Sequence, residues 1–199
     1  MELEADGLRC ERGGRTVFAG LDFRLKAGEL LLLTGPNGSG KSSLLRLIAG
    51  LNDPAAGSIV LAGGHADLSI GQQSHYVAHQ DAIKPALTVA ENLAFWRDVL
   101  GGGDIERALA ALDLARLAGY PAALLSAGQK RRLALARVAL APRALWLLDE
   151  PTTGLDKTSR LLLCRLMQVQ LNSGGLVIAA THVPLGIEAQ HQLDLGESS

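Results

Sequence analysis

The sequence predicts an α/β fold built on a parallel sheet that is covered by helices. Three apolar runs, at 30–34, 145–148 and 176–180, contain no charged residue, which is typical of strands buried on both faces. A helical pattern at 157–171 separates the last two runs. Because strand, helix and strand alternate along the chain, we expect parallel strands joined by right-handed crossovers.

Other segments supply the remaining elements of the predicted fold. We expect further strands at 3–10, 16–25, 58–62 and 76–78. We expect helices at 42–49, 88–118 and 127–140. Three glycines at 101–103 interrupt the second helical stretch, and Asp104 is expected to cap the helix that follows them. Pro142 is expected to end the third. The segment at about 84–141 is therefore predicted to be a helical subdomain within a single domain, 1–199.

The composition excludes several classes of protein. Among 199 residues, 19 basic side chains balance 20 acidic ones, which gives no support to a nucleic-acid partner. Cys10 and Cys164 are too far apart to suggest a disulfide framework or a zinc site, and they fit a reducing cytosol. The acidic N-terminus is unlike a secretory signal, and no apolar run approaches the roughly 20 residues of a membrane-spanning helix. If the protein acts at a membrane, we expect another subunit to span it.

A glycine-rich motif directly follows the first buried strand and directly precedes a helix. Residues 35–42, GPNGSGKS, fit the pattern GxxxxGK[ST] in full. The glycines let backbone N–H groups converge on phosphate oxygens, and the helix N-terminus favours negative charge. The alternative is a turn that merely caps the helix, but the strand, loop and helix context favours binding of a nucleotide through its phosphates.

Individual roles follow from this motif. Lys41 is expected to reach the β- and γ-phosphates, and Ser42 is expected to bind Mg²⁺. The residues predicted to bind the nucleotide are Gly35, Pro36, Asn37, Gly38, Ser39, Gly40, Lys41, Ser42 and Ser43.

Two carboxylates, Asp149 and Glu150, follow the second buried strand. They emerge at the carboxyl end of that strand, which is where α/β sheets bind their ligands. On its own, an acidic pair in this place is more often a helix cap than a catalytic site. Together with the phosphate-binding loop, the pair predicts that Asp149 holds the Mg²⁺ shell and that Glu150 orients or deprotonates the attacking water.

The segment 125–129, LSAGQ, resembles the LSGGQ signature of ABC-type ATPases, with Ala127 in place of the first glycine. In that family the signature faces the γ-phosphate of ATP bound by a second subunit. The resemblance therefore implies that Ser126 and the N–H of Gly128 contact that phosphate, and that the active unit is a homodimer with ATP sandwiched between its subunits. Ser126 is also a good N-cap for the helix that starts at Ala127, and both roles can hold together.

Three further positions match ABC elements in the family's order. Gln80 resembles the Q-loop glutamine, which implies contact with Mg²⁺ and the water. Asp156, in 153–156, resembles the D-loop aspartate that crosses the dimer interface, and His182 resembles the switch histidine that senses the γ-phosphate. Each alone would more often be a satisfied polar residue. Six elements in order between Gly35 and His182 make coincidence untenable.

The resemblance implies a P-loop NTPase fold, namely an ABC nucleotide-binding domain. Its parts are a RecA-like parallel-sheet core, an antiparallel β subdomain and a helical subdomain. One departure concerns the adenine, which the family usually stacks on an aromatic residue before the P-loop. Spacing places that position near Arg12, whose guanidinium plane can stack on a base. Phe18 is expected to lie in the core instead.

Within the ABC family, the chain is most similar to the ATP-binding subunits of cytochrome c maturation systems, also described as heme exporter ATPases. The resemblance implies a peripheral subunit on the cytoplasmic face of a bacterial inner membrane, bound to a polytopic membrane subunit and supporting heme attachment to apocytochromes c. The histidines show no CxxCH or paired-ligand pattern, so no direct heme site is expected. The stretches that carry the resemblance are 76–93, 125–137 and 181–186.

Two other functions remain open at this point. An ABC exporter ATPase for a lipid, a drug or a lipoprotein would keep every catalytic residue and change only the partner, because the motifs specify phosphate chemistry and not cargo. An ABC ATPase that acts on DNA or ribosomes would need coiled-coil insertions, tandem domains or a basic surface, and the sequence has none of these.

Overall fold

The computed structural model describes residues 1–196, which form two β-sheets and five α-helices. The strands are β1 (Glu2–Arg12), β2 (Arg15–Lys26), β3 (Leu30–Thr34), β4 (Ala56–Ala62), β5 (Ser74–Val77), β6 (Leu145–Asp149), β7 (Leu176–Ala180) and β8 (His191–Asp194). The helices are α1 (Lys41–Ile48), α2 (Val89–Leu100), α3 (Ile105–Ala111), α4 (Ala127–Leu140) and α5 (Lys157–Asn172). Short 3₁₀ segments lie at Gly71–Gln73, Ala115–Leu117 and Ala122–Leu124.

The larger sheet has the strand order β5-β6-β7-β3-β8, and all of its neighbouring strands run parallel. Every residue of β6 and of β7 is buried. The prediction that apolar runs form doubly covered parallel strands is therefore confirmed. The order places β3, which leads into the glycine-rich loop, beside β7 and two positions from β6, so all three strands end at the same edge.

Side chains that alternate along the central strands pack into two separate cores. Trp146 and Leu148 belong to the core formed with α2, α3, α4 and α5, whereas Leu145 and Leu147 belong to the core formed with α1 and the smaller sheet. This is the period of two expected for a strand that is covered on both faces. Burial on both faces fixes the register of β6, because a slip of one residue would exchange the two sets.

The smaller sheet is antiparallel, with the order β2-β1-β4. Its first two strands are joined by a two-residue loop, Gly13-Gly14, with φ of +56° and +75°. Positive φ at both central positions is the requirement of a type I′ hairpin turn, and glycine meets it without steric strain. The turn brings Arg12 and Arg15 opposite each other at the tip of the hairpin.

The helices α2, α3 and α4 lie between β5 and β6 in the chain, within the predicted segment 84–141, whose boundaries stay a prediction. Thr88 caps α2 through a capping box with Glu91, and Asp104 caps α3 as expected by accepting from the N–H of Arg107. The helix after the three glycines, α3, is predicted to continue to Ala118, but it ends at Ala111. The reason is local, since Asp113 has φ of +52°, which a helix cannot accommodate.

No sequence pattern predicts β8, the edge strand of the larger sheet. It pairs with β3 in parallel, with Leu31 opposite His191. Its four residues are mostly exposed and include two polar side chains and one carboxylate, so no apolar run marks it. The side chain of Gln190 prolongs the ladder, because its Oε1 accepts from Leu30 N–H at 2.8 Å.

None of the helices within 1–196 combines the length and the apolar content that crossing a bilayer requires.

The side chain of His75 is an ionisable group enclosed in the core. It is 5% exposed, and its Nε2 lies 2.7 Å from the carbonyl oxygen of Ala141. A carbonyl only accepts, so the neutral ring carries its proton on Nε2. Burial lowers the pKa of His75 to about 4, opposed by the bond to Ala141, and the nearby Arg143 and Arg137 lower it further.

This histidine predicts a loss of stability in mild acid. The pKa of His75 is 6.5 in the unfolded chain and about 4 in the folded chain. The contribution of His75 to the free energy of unfolding is therefore fully present above pH 6.5 and declines as the pH falls towards 4. We expect this one group to remove about 2 kcal/mol of unfolding free energy between pH 7 and pH 5. Urea titrations of the parent and of His75→Gln measure this effect. An equal decline in both proteins would contradict the assignment.

Candidate functional site

The glycine-rich loop between β3 and α1 is closed to side chains at two positions. Gly40 has φ of +104°, and a Cβ there would lie 2.7 Å from Cγ1 of Val17 and 3.0 Å from Cδ1 of Phe18. Gly35 has φ of +121°, and its Cβ would meet Ser39 Oγ at 2.9 Å. Glycine is therefore required by both backbone conformation and space. Because this loop leads directly into α1, its N–H groups lie at a helix N-terminus, where anions bind.

Lys41 is folded into the loop that it follows. Its side chain is nearly buried, and Nζ donates to the carbonyls of Gly35 and Pro36 at 2.7 and 2.9 Å. The ammonium is thus held at the centre of the loop with a fixed position. Ser39 Oγ lies in the same loop, is buried and has no hydrogen-bond partner among the described residues. A cradle with a positive charge and a free hydroxyl fits a phosphate group.

The acidic pair lies at the end of β6, as its position in the sequence predicts. Asp149 is the last residue of the strand and is 4% exposed. Glu150 leaves the strand with φ of +47°, although its N–H still donates to the carbonyl of Ala180 at 2.8 Å. Non-glycine residues rarely adopt this left-handed conformation, and they concentrate at functional sites.

His182 follows β7 and is brought to the same edge of the sheet. Its Nε2 lies 3.8 Å from Oε1 of Glu150, which is beyond hydrogen-bonding distance but leaves no room for another residue. The two side chains are 46% and 21% exposed, so both face the solvent side of this edge. The structure therefore brings together the carboxylate and the histidine that the sequence singled out separately.

A cleft of about 370 Å³ opens over the loop and the acidic pair. It contains the predicted lysine, serine and both carboxylates, and it also contains His79 and Val17, which the sequence did not suggest. Its lining residues are Arg12, Val17, Asn37, Gly38, Gly40, Lys41, Ser42, Ser43, His79, Asp149 and Glu150. Cationic and anionic groups thus line one cleft, as phosphate and metal binding require.

Gln80 does not line this cleft, although its neighbour His79 does. Gln80 is exposed in the loop that follows β5. Its proposed contact with metal and water stays a prediction. Only its position next to Gln80 could have drawn attention to His79 in the sequence.

The hairpin of the smaller sheet supplies one wall of the cleft. Arg12 is exposed and lines it together with Val17. Phe18 is 1% exposed and belongs to the core, as expected, so its ring is not available to a ligand. A guanidinium plane and a branched aliphatic side chain therefore lie where a flat base could rest.

Ser126, Gly128 and Asp156 lie outside the lining of this cleft. Ser126 caps α4 through a capping box with Gln129, which confirms its capping role. Asp156 caps α5 by accepting from the N–H of Ser159 at 2.7 Å, and this bond, with the Ser159 hydroxyl, lowers the pKa of Asp156. The three residues are thus on one chain but away from the phosphate-binding loop of that chain.

The segments that carry these residues are in close contact with each other. A Cβ placed on Gly128 would lie 3.1 Å from the carbonyl oxygen of Gly154. The first turn of α4 therefore packs against the loop that precedes α5.

The sequence pattern of the ABC transporter family matches residues 18–153, which include the loop, the signature and the acidic pair. The chain belongs to the ABC transporter family. The members of this family are ATPases, and the chain binds ATP and hydrolyses it in support of transport.

Individual ABC proteins match the chain over nearly its full length. It is 55% identical over 192 residues to the cytochrome c biogenesis ATP-binding export protein CcmA of Nitrobacter winogradskyi, with 96% of each chain covered. It is 56% identical to the protein of that name from Rhodopseudomonas palustris strain HaA2, with 94% of each covered.

Solved ABC structures share the fold. A putative ABC transporter ATP-binding protein from Pyrococcus furiosus superposes with a TM-score of 0.85 at 21% identity, with all of both chains covered. An ATP-binding subunit of an ABC transporter superposes with a TM-score of 0.86 at 25% identity, covering 98% of this chain and 87% of the other.

The geometry predicts different effects for two substitutions in the cleft. Lys41→Ala removes the only ammonium in the cleft lining and should abolish ATP binding and hydrolysis together. Glu150→Gln keeps the shape of the site and should retain ATP binding while kcat falls about 10²- to 10⁴-fold, the usual contribution of a general base. Nucleotide titration and phosphate release measure the two properties, and thermal unfolding controls for folding. Hydrolysis by Glu150→Gln near the parent rate would remove Glu150 from its catalytic role.

The wall formed by Arg12 predicts weak selection of the base. Because a guanidinium plane stacks on any purine, ATP and GTP should bind with affinities within about tenfold of each other. Arg12→Ala should weaken both alike. Arg15→Ala is the matched control, since Arg15 faces Arg12 across the hairpin but does not line the cleft. A strong preference for ATP that persists in Arg12→Ala would show that another group holds the base.

Proposed function

We propose that this chain is the ATP-hydrolysing subunit of a bacterial transport complex that serves c-type cytochrome biogenesis. The observation that carries the proposal is identity of about 55% over 96% of both chains to proteins named as cytochrome c biogenesis ATP-binding export proteins. Identity of this extent reaches well beyond the ATPase motifs. It therefore favours this pathway over export of a lipid, a drug or a lipoprotein.

In the proposed chemistry, the predicted site residues have distinct roles. Lys41 and the loop at 35–43 hold the phosphates, and Glu150 orients or deprotonates the attacking water. Mg²⁺ would neutralise charge on the phosphates, and the hydroxyl of Ser42 and the carboxylate of Asp149 are oxygen donors of the kind that this ion prefers. Gln80 completes the proposed metal set. His182, close to Glu150, is positioned to sense the terminal phosphate.

We propose that the active unit is a homodimer. Ser126 and Asp156 are exposed at the starts of two helices, and the cleft of the same chain does not include them. A second copy whose cleft faced these residues would give each of them a phosphate or a partner chain to contact. In this arrangement two ATP molecules lie between the subunits, and each is contacted by both.

A second cavity, of about 350 Å³, is the proposed docking site for a membrane subunit. It lies between the end of α1, strand β5 and α2, next to the loop that carries Gln80. Leu51 and Val99 at its rim are each 59% exposed, and Trp96 lines it beneath Arg137, which stacks on the indole ring at 4.2 Å. An apolar rim of this kind suits a partner's helix. The partner would be a polytopic subunit, with this chain peripheral on the cytoplasmic side of the inner membrane.

The proposed pathway predicts a selective loss of cytochromes in cells that carry Lys41→Ala. Heme synthesis and b-type cytochromes need no energised maturation step, so they should persist while mature c-type cytochromes disappear. A heme-stained gel detects covalently bound heme, and an absorbance spectrum reports total b-type heme. Normal c-type bands in the mutant would reject the pathway and leave the ATPase untouched.

A companion pair of variants tests the docking surface within the same experiment. Leu51→Glu should lose both the c-type bands and co-purification of a membrane protein. Val60→Glu is the matched control, because Val60 is 55% exposed on β4 and does not line the second cavity. Equal behaviour of the two variants would place the docking surface elsewhere.

A further inference from the structure

A single arginine near the start of α4 joins two loops of the nucleotide-binding cleft. Arg131 follows the signature by two residues, and its side chain is only 5% exposed. Burial of a guanidinium is unfavourable unless its donors are used and its charge is balanced. The contacts of Arg131 therefore show which groups its buried guanidinium holds.

The two terminal nitrogens of Arg131 donate to different loops. Nη1 lies 2.9 Å from the carbonyl oxygen of Ala78 and 2.9 Å from Oδ1 of Asp81, with the carbonyl of His79 at 3.5 Å. These residues precede and follow Gln80. Asp81 supplies the opposite charge and is itself 29% exposed.

The other nitrogen reaches the end of β6. Nη2 donates to the carbonyls of Asp149 and Glu150 at 2.9 and 2.8 Å. It thus holds the two peptide groups that flank the Cα of Glu150, one before it and one after it. Guanidinium nitrogens have a fixed separation in one plane, so one side chain sets the spacing between the two loops.

Both loops contain a non-glycine residue in the left-handed region. Ala82 has φ of +49° and Glu150 has φ of +47°. Such conformations persist where the surroundings over-determine them. The bond from Nη2 to the Glu150 carbonyl is one of those constraints, because it fixes the direction in which the strained residue leaves the strand.

We infer that Arg131 is a positioning residue for ATP hydrolysis, which ties the backbone of Glu150 to the loop that carries Gln80 and ties both to the signature helix. The inference rests on the proposed roles of Glu150 and Gln80. Movement of α4, whose first turn holds Ser126 and Gly128, is transmitted through Arg131 to the two loops. A signature that engages a second subunit thereby sets the geometry of the catalytic carboxylate in its own subunit.

Steady-state kinetics of the full-length chain test this inference. In Arg131→Met, kcat should fall about tenfold or more while KM for ATP stays within about twofold, because the phosphate loop is untouched. Arg131→Lys keeps a charge beside Asp81 but cannot span both loops, so it should recover thermal stability without recovering kcat. If Arg131→Lys recovered both thermal stability and kcat, Arg131 would act only as a structural ion-pair partner of Asp81. That result would overturn the inference.

A control variant separates loss of positioning from general damage. Arg143 also donates to backbone carbonyls, those of Leu100 and Pro142, and it lies outside the cleft lining. Arg143→Met should lower the melting temperature and leave kcat within about twofold of the parent. A kcat for Arg131→Met that is no lower than that of Arg143→Met would overturn the inference.

A double-mutant cycle identifies the residue through which Arg131 acts. If Arg131 works by positioning Glu150, then Arg131→Met should reduce single-turnover hydrolysis less than about twofold in a Glu150→Gln background. A full, multiplicative loss in that background would show that Arg131 does not act through Glu150 and would overturn the inference. A parent-like rate for Glu150→Gln alone would instead remove the proposed catalytic role of Glu150, so the two failures are distinguishable.

Discussion

The site depends on the parallel pairing of β3, β7 and β6, three strands that are apolar along nearly their whole length. Because β6 and β7 are covered on both faces, their register cannot slip, and their carboxyl ends meet at one edge. The phosphate-binding loop, the acidic pair and His182 are the residues that follow these three ends. The burial of leucines, isoleucine and valine thus brings a cation, two carboxylates and an imidazole to one edge of the sheet.

The sequence predicted best those elements whose position the hydrophobic effect dictates. Predicted and observed bounds coincide for α4 and β7, and β6 differs by one residue. It failed where local structure depends on a partner strand or a single backbone angle. The strand β8 exists because β3 offers it a free edge, and α3 ends early because Asp113 turns left-handed.

The candidate site shows the same division. Motif and context predict Lys41, Asp149 and Glu150, because each lies at, or directly after, the end of a strand or loop at the cleft. Arg131 was not found, because its partners at 78–81 are about 50 residues away in the chain and most are backbone carbonyls, which no side-chain pattern reveals. Ser126, Gly128 and Asp156 are proposed to act on a second subunit, and they lie outside the cleft of their own chain. Only the resemblance to the family therefore points to them.

The signature of this chain has alanine where the ABC family has its first glycine, and the structure distinguishes the two central positions. Ala127 is exposed at the start of α4. Gly128 faces the Gly154 carbonyl, and a methyl group there would require that loop to retreat by a few tenths of an ångström. The paired glycines of the family motif are therefore separate constraints here: the first position accepts a side chain, whereas the second limits how closely α4 can approach the loop before α5.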